Sequence, residues 1–409
     1  MNFTDFLTEA NISKNVHLEH LEDEVLNRGV IGARDAINFL QSLRDMLAGN
    51  TTSHINVTTK WDGAPAVFAG INPENSQFFV GTKGVFAKNA KLNYTTQDID
   101  KNHPSSGLNK KLKIALRYLP KLGIKGILQG DMMFTKGDIK SETIAGEKMI
   151  SFTPNTITYA VPSDSRLAQT MQAAQIGIVF HTSYTGQKME DMKASFNIDI
   201  KNLSTTRDVW FRDADYTDAS GTATFTLQET KNITRILSDV GSLFQKTNAL
   251  TLNRVANNDK IRNYIKTFNN KKVRAGEVIR DTITHTRELI LDVEKQLNDN
   301  ILDAKREDTK RNRQAEKTEI MRFFRTSAIE LKKMFDIQNG LVEAKMMIIR
   351  KLQQVDQVAR TFIKTDSGYR ITAPEGFVAV DHIKGNAVKL VDRLEFSQAN
   401  FTAAKSWSK

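Results

Sequence analysis

The order of apolar and polar positions changes character twice along the chain. Between residues 15 and 49, Leu18, Leu21 and Val25, then Ile37, Leu40, Leu43 and Leu47, recur three or four apart, which lines one helix face. Gly29 and Gly32 interrupt the run, so two short helices are expected. From 54 to 86 the pattern becomes alternating and β-branched, broken by Gly63, Gly70, Gly81 and Gly84, which predicts a meander of antiparallel strands. Further strands are expected at 126–134, 157–161 and 176–184, with helices at 112–122 and 165–174. The second change falls near Thr230. Ile233, Ile236, Leu237, Val240 and Phe244 make one apolar face, and Ile279, Ile283, Ile290, Val293, Leu297 and Ile301 another. Leu341, Ile348, Val355 and Phe362 recur at a constant seven-residue interval, as in a helix packed lengthwise on a partner. Strand-like sequence returns at 369–371, 376–381 and 387–390. The reading is an α+β fold: a helical segment over 1–50, an α+β domain over 51–225 and 365–409, and an all-α block over 226–364 inserted into it.

Composition narrows the chemistry. With 409 residues, 40% hydrophobic and 26% charged, the chain can bury more than one core. No apolar run is long enough for a transmembrane helix, and Met1–Ala10 lacks the basic start and apolar stretch of a signal peptide, so a cytoplasmic protein is expected. The absence of cysteine excludes disulfides, thiolate catalysis and cysteine zinc sites. His17 and His20 are the one closely spaced histidine pair, in an acidic segment that reads as a surface helix. A net charge of +11 favours a polyanionic partner. The cations Lys305, Arg306, Lys310, Arg311, Arg313, Lys317, Arg322 and Arg325 alternate with Glu307, Asp308, Glu316 and Glu319. That stretch reads equally as a phosphate-tracking surface and as a solvated face laced with ion pairs.

Lys60-Trp61-Asp62-Gly63 closes the first strand of the alternating region. After it come Gly81-Thr82-Lys83-Gly84, Gly130-Asp131, Ile178-Val179-Phe180, Glu375-Gly376-Phe377-Val378 and Val388-Lys389-Leu390-Val391. A lone K-x-D-G is common at strand ends; the ordered series resembles the covalent nucleotidyltransferase superfamily of ATP-dependent DNA and RNA ligases and capping enzymes. The resemblance covers 54–184 and 369–392. With the helical insertion, it is similar to ligase-like proteins of tailed phages, whose setting is the host cytoplasm.

The resemblance implies a ligase-type adenylation domain in which Lys60 attacks the α-phosphorus of ATP and carries AMP. Gly63, Lys83, Phe180, Glu375 and Lys389 would contact the nucleotide, Phe180 by stacking on adenine. Asp131 and Glu375 would hold Mg2+, Asp62 would orient Lys60 or the metal, and Lys389 would neutralise the α-phosphate. Attack requires a neutral amine, so Lys60 is expected to have a depressed pKa. Lys83, Lys305, Arg306, Lys310, Arg311 and Arg313 are the candidate contacts to nucleic acid, with the inserted helices acting as a clamp. The acidic segment from His17 to Asp23 is a further candidate for adenine contacts.

The pattern departs from the family at four points. Ala64-Pro65-Ala66 replaces the usual arginine after the first motif, the third motif has aspartate for glutamate, and the last has one lysine, leaving Lys384 or Arg393 as the source of the missing charge. Only twenty residues follow Lys389, too few for a C-terminal OB-fold. The expected reaction is the sealing of 5′-phosphate and 3′-hydroxyl ends in nicked duplex DNA, with RNA joining as the alternative. A GTP-dependent capping-type guanylyltransferase and an inactive nucleic-acid-binding structural protein stand behind these.

Overall fold

The computed structural model describes residues 20–49, 55–196, 198–214, 224–354, 359–365, 368–372, 375–381 and 386–394. Three sheets carry the α+β part. The smallest joins β1 (Ile55–Lys60), β13 (Gly376–Asp381) and β14 (Asn386–Val391), all antiparallel, in the order β1-β13-β14. The largest runs β10-β8-β4-β2-β3, from β2 (Ala66–Ile71), β3 (Phe78–Gly81), β4 (Ile127–Thr135), β8 (Ile176–Thr185) and β10 (Val209–Asp213), with β9 (Lys193–Ser195) also on β8. Only its β10–β8 pair is parallel. The third is antiparallel, β12-β11-β7-β6-β5, from β5 (Lys140–Ile144), β6 (Glu147–Phe152), β7 (Ile157–Pro162), β11 (Arg360–Thr365) and β12 (Gly368–Ile371).

These pairings bear out an α+β region interrupted by helices, because β1 pairs with β13 and β7 with β11 across the whole helical block. Two details differ from the sequence reading. β1 is not part of a meander with β2, since the link between them is held on β7 and no tight turn forms. Strand β11 begins at Arg360, ahead of the expected boundary, and Phe362 lies within it, 2% exposed. The seven-residue recurrence is therefore not one helix: Leu341 and Ile348 belong to a helix that ends at Leu352, and Val355 lies outside the described residues. An apolar period of seven can run across a helix end by coincidence when a buried strand follows.

One face of the six-stranded sheet is covered by α2 (Thr96–Asn102) and α3 (Ser106–Tyr118), and Leu112, Ala115 and the following Leu119 bury against Val67, Leu128 and Ile178. Helix α4 (Arg166–Ala173) starts where Ser165 caps the backbone N–H of Ala168. The helical layer holds α1 (Glu24–Leu47), α5 (Leu227–Gln245), α6 (Ala249–Asn257), α7 (Asp259–Arg274), α8 (Thr282–Leu302), α9 (Glu307–Thr326) and α10 (Ala328–Leu352). The expected break in the first helix is real: Gly29 has φ +57 and ψ −127, which divides α1. A Cβ there would lie 2.6 Å from Asn253 Oδ1, the atom that accepts the N–H of Val30, so glycine is required for α6 to approach.

On α8 the buried stripe is Thr282, His285, Thr286, Leu289, Val293 and Leu297, whereas Ile283 is 68% exposed. A hydropathy reading misses this face because its polar members are buried with partners. His285 Nε2 lies 2.9 Å from Asn269 Oδ1, and the Thr282 hydroxyl donates to Asp336. The expected face of α5 is found, with Ile233, Ile236, Leu237 and Val240 buried.

Helix α1 belongs to this layer and shares one core with it and with the small sheet. Alternation decides which strand residues join. Val57, Phe377, Ala379 and Leu390 enter the helical core, so Thr58, Lys60, Val378 and Lys389 share the opposite face. Buried ion pairs fasten the joint. Glu22 accepts from Lys345 of α10 at 2.7 Å with both side chains under 5% exposed, and Asp23 accepts from Arg393 at 2.9 Å. The acidic segment before α1 is therefore internal, not a surface helix; His17 lies outside the described residues.

Two outcomes follow. Lys345→Ala strands the Glu22 carboxylate and should cost about 3–5 kcal/mol in urea unfolding, whereas a loss below about 1 kcal/mol would mean the pair contributes little. His285 and His20 have pKa values lowered by burial to about 4 and about 3, below the ordinary 6.5. The folded state thus refuses protons that the unfolded chain accepts. Their contribution is complete above pH 6.5 and is lost as pH falls toward 4, at up to about 1.4 kcal/mol per pH unit for each histidine. His285→Gln should flatten the stability slope between those limits by up to about one proton's worth; an unchanged slope would contradict the assignment.

Candidate functional site

Lys60 ends β1 opposite Gly376 of β13, and Glu375 immediately precedes that strand. The pairing brings two residues 315 apart in sequence into contact, with the Lys60 ammonium donating to Glu375 Oε2. Gly376 has φ +145, and a Cβ on it would sit 2.4 Å from the Leu390 carbonyl oxygen, so only glycine allows the strand to start there.

The turn after Lys60 is anchored by Asp62. Its carboxylate accepts from Asn155 Nδ2 at 2.7 Å and from the backbone N–H groups of Thr156 and Ile157 at 2.6 and 2.7 Å. Its own N–H donates to the Tyr159 hydroxyl at 2.7 Å, and that ring stacks on Trp61 at 5.2 Å and on Phe152 at 5.6 Å. Both carboxylate oxygens are occupied, which fixes the turn that directly follows Lys60. Gly63 then passes beside Asp131, where a Cβ would come within 2.5 Å of the Asp131 Cβ. Its smallness admits that carboxylate beside the loop.

Asp131 lies on β4, on the face of the six-stranded sheet opposite α3. Strand β8 carries an irregularity here, because Gly130 pairs with Phe180 and Gln129 with Thr182, leaving His181 as the extra residue. His181 Nε2 lies 3.8 Å from Asp131 Oδ2, and its Nδ1 lies 2.7 Å from the Thr182 hydroxyl. The same face is apolar at both ends, with Phe68 and Tyr184 at one and Met133 and Val179 at the other, and polar between them.

Phe180 is corrected: it is fully buried among Val67, Ile178 and Leu112 on the α3 side, where it cannot stack on a base. Strand alternation sends its neighbour His181 to the cleft instead. Lys389 pairs with Val378 on the Lys60 face of the small sheet, and its backbone bridges to His20. Arg393 is engaged by Asp23 and Asn270 and does not supply the missing charge; Lys384 lies outside the described residues. Lys83 is exposed in the 3-10 turn Lys83–Phe86 that follows β3.

On α9 the ion-pair reading prevails for much of the stretch. Lys310 pairs with Glu307, Arg311 with Asp308 and Arg325 with Glu294, while Arg313 donates to the Asn300 carbonyl. Glu316 and Glu319 face Lys260 and Arg254 of other helices. Lys305 and Arg306 are exposed and have no ion pair among the described residues.

The electrostatics reverse one expectation. Burial pushes the pKa of Lys60 down, but Glu375, Asp131 and Asp62 together outweigh it and hold the ammonium above the ordinary lysine value. Burial raises Glu375, with Asp62 and Asp131 adding to the rise and Lys60 opposing it. The site therefore stores Lys60 protonated, beside a carboxylate whose own proton affinity is raised. Among the described residues no three His, Asp or Glu side chains converge as a metal cage. Asp131 and Glu375 both act on Lys60 and are the hard oxygen donors there to which a divalent cation would turn.

His181, Asn155 and Tyr159 were not legible as site residues. Asn155 and Tyr159 have no local motif and arrive through β7 or the turn before it, and the one signal for His181 is its place next to Phe180, whose inward orientation puts the following residue on the other face.

The chain belongs to a family of unknown function, DUF6267, whose model matches residues 15–405. No curated protein and no solved structure matches it. Among the described residues no helix is long and apolar enough to cross a membrane.

Glu375→Gln removes the main charge that holds the Lys60 proton. The pH midpoint of Lys60 modification by pyridoxal phosphate and borohydride, mapped by peptide mass, should fall by about one unit or more. An unmoved midpoint would mean the pair does not set the protonation of Lys60.

Proposed function

We propose that this member of DUF6267 is an ATP-dependent polynucleotide ligase that carries AMP on Lys60, with nicked duplex DNA as the first substrate and RNA ends as the alternative. The observation that carries the reading is the meeting of Lys60 and Glu375 across the helical block, with Asp131 facing them from a second sheet. Two motifs that resemble those of covalent nucleotidyltransferases, remote in sequence, thus form one constellation.

The chain's own residues account for the steps. Lys60 must lose a proton, and Glu375, hydrogen-bonded to it and raised in proton affinity by burial, is positioned to accept it. The neutral amine attacks the α-phosphorus, a P–N bond forms, the bond to the β-phosphate breaks, and pyrophosphate leaves. A 5′-phosphate oxygen of the polynucleotide then attacks the AMP phosphorus, the P–N bond breaks and the amine takes back a proton; a 3′-hydroxyl oxygen finally attacks the 5′-phosphorus, releases its proton to solvent and displaces AMP as the P–O bond to it breaks. Lys389, on the same sheet face as Lys60, supplies positive charge to the phosphate oxygens. Magnesium, when bound by Asp131 and Glu375, would polarise the phosphates and screen the carboxylates that hold the Lys60 proton. Asp62 holds the turn so that the amine keeps its direction.

The decisive measurement is incubation with α-labelled ATP or GTP and magnesium, followed by a test for acid-labile, lysine-linked label. Label from ATP that disappears in Lys60→Ala is expected, with a loss on the order of 10²-fold in Lys389→Ala. Label from GTP alone would move the protein to capping chemistry, and no label from either would overturn the proposal. Nicked DNA, nicked RNA and single-stranded RNA then separate the substrates.

A further inference from the structure

A second surface, away from Lys60, has the chemistry of a polynucleotide chain. Helix α3 and the 3-10 turn after it, Leu119–Leu122, contain no acidic residue. Lys110, Lys113 and Arg117 stand three and four apart on one helix face, and Lys121 continues the stripe. Beside the stripe opens a cavity of about 450 Å³ whose lining includes Ile114, Leu116, Tyr118 and Lys136. Acidic neighbours answer only part of this charge. Lys113 pairs with Asp100 and Lys121 with Asp208, while Lys110 and Arg117 have no carboxylate partner among the described residues. Lys136 donates to the Gln172 carbonyl and has no carboxylate partner among the described residues. Arg117 and Lys121 lie 5.5 and 5.2 Å from the Tyr118 ring centroid, which orients both cations at the rim.

One contact links α3 to the loop beside Lys60. Lys111, on the adjoining side of α3, donates to the Ala64 carbonyl at 3.1 Å, in the loop that directly follows Gly63. Helix α9 differs in the respect that matters, because four carboxylates of its own lie among its cations.

We propose that the α3 groove binds a nucleic-acid strand, with the sugar-phosphate backbone along Lys110, Arg117 and Lys136 and a base or sugar in the apolar recess beside Tyr118. The pairing of a cationic rim with an apolar, aromatic-lined recess suits an alternating phosphate and base chain. An acidic protein would supply carboxylates without planar bases, and a bilayer surface would not fill a recess of this size. The inference deepens the ligase reading by naming where the polynucleotide lies. It is read by binding, which does not need Lys60, so the two can fail separately.

The test uses the full chain and a fluorescein-labelled single-stranded DNA oligonucleotide, followed by anisotropy between about 50 and 200 mM salt. The triple variant Lys110→Ala, Arg117→Ala, Lys136→Ala should bind about tenfold or more weakly and lose about 2 from the slope of log K against log salt. The matched triple on the helical layer, Lys305→Ala, Arg306→Ala, Arg311→Ala, should stay within about twofold of the parent. All six positions are on the surface or its edge, and an unchanged melting temperature certifies each variant. Parent-like binding by the α3 triple, or transfer of the loss to the triple of Lys305, Arg306 and Arg311, would overturn the proposal. So would displacement of the oligonucleotide by polyglutamate, or by vesicles of anionic lipid, at equal charge. Retained groove-dependent binding in a chain that takes no label from ATP would leave this inference standing and remove the ligase reading alone.

Discussion

The three-stranded sheet β1-β13-β14 is asked to serve two environments at once, and the rest of the structure is arranged around that demand. A strand turns successive side chains to opposite faces, so six residues of β1 supply both Val57 to the helical core and Lys60 to the cleft. The arrangement has no slack in register. A slip of one residue would carry Lys60 toward Leu390 and Phe377 and bring Val57 out among polar groups, which costs both burial and a desolvated charge. Gly376 fixes the register from the partner strand, because its conformation and its crowding against Leu390 exclude any side chain.

The second organising feature is charge concentrated where three sheets converge. Glu375 comes with the small sheet, Asp131 with the six-stranded sheet, and Asp62 is tied to the five-stranded one through Asn155 and the start of β7. One lysine among three carboxylates is a stable resting arrangement and a poor nucleophile. Under the proposed adenylation, Lys60 would become reactive only when a polyphosphate and its cation offset the carboxylates. The aromatic stack of Trp61, Tyr159 and Phe152 makes the turn stiff, so charge can be rebalanced without losing direction.

Local signals carried much of this. The β-branched runs, the turn glycines and the three- and four-residue apolar spacings located β1, β4, β7, β8 and the break at Gly29, but passed over β5, β6, β9, β10 and α2, whose short mixed runs carry no clear period. The juxtaposition of Lys60 with Glu375 could be expected only through a resemblance of ordered motifs, since no spacing rule links positions so far apart. Expectations failed where burial was decided by pairing rather than by hydropathy. His285 and Thr282 enter the core because Asn269 and Asp336 receive them, and Glu22 because Lys345 does. Phe180 joins Ile178 under the helices by ordinary strand alternation, a face that its own hydropathy does not specify. The stretch from Lys305 to Arg325 is mixed: Lys310, Arg311 and Arg325 have carboxylate partners, the last on another helix where no local spacing reveals it, whereas Lys305 and Arg306 have no ion pair among the described residues.

The shared core also changes what a boundary means in this chain. By sequence the helices look like an insert, a unit that could be cut out and the ends rejoined. In space they are the support behind the strands that bear Lys60 and Lys389, with Val57, Phe377 and Leu390 as common property. A truncation that removed them would leave the back of that wall facing water, and any silence it produced would report a collapsed wall. Deletion mapping, the usual way of assigning work to an insert, is therefore blind here, and single exposed side chains are the unit by which the helical layer and the cleft can be told apart.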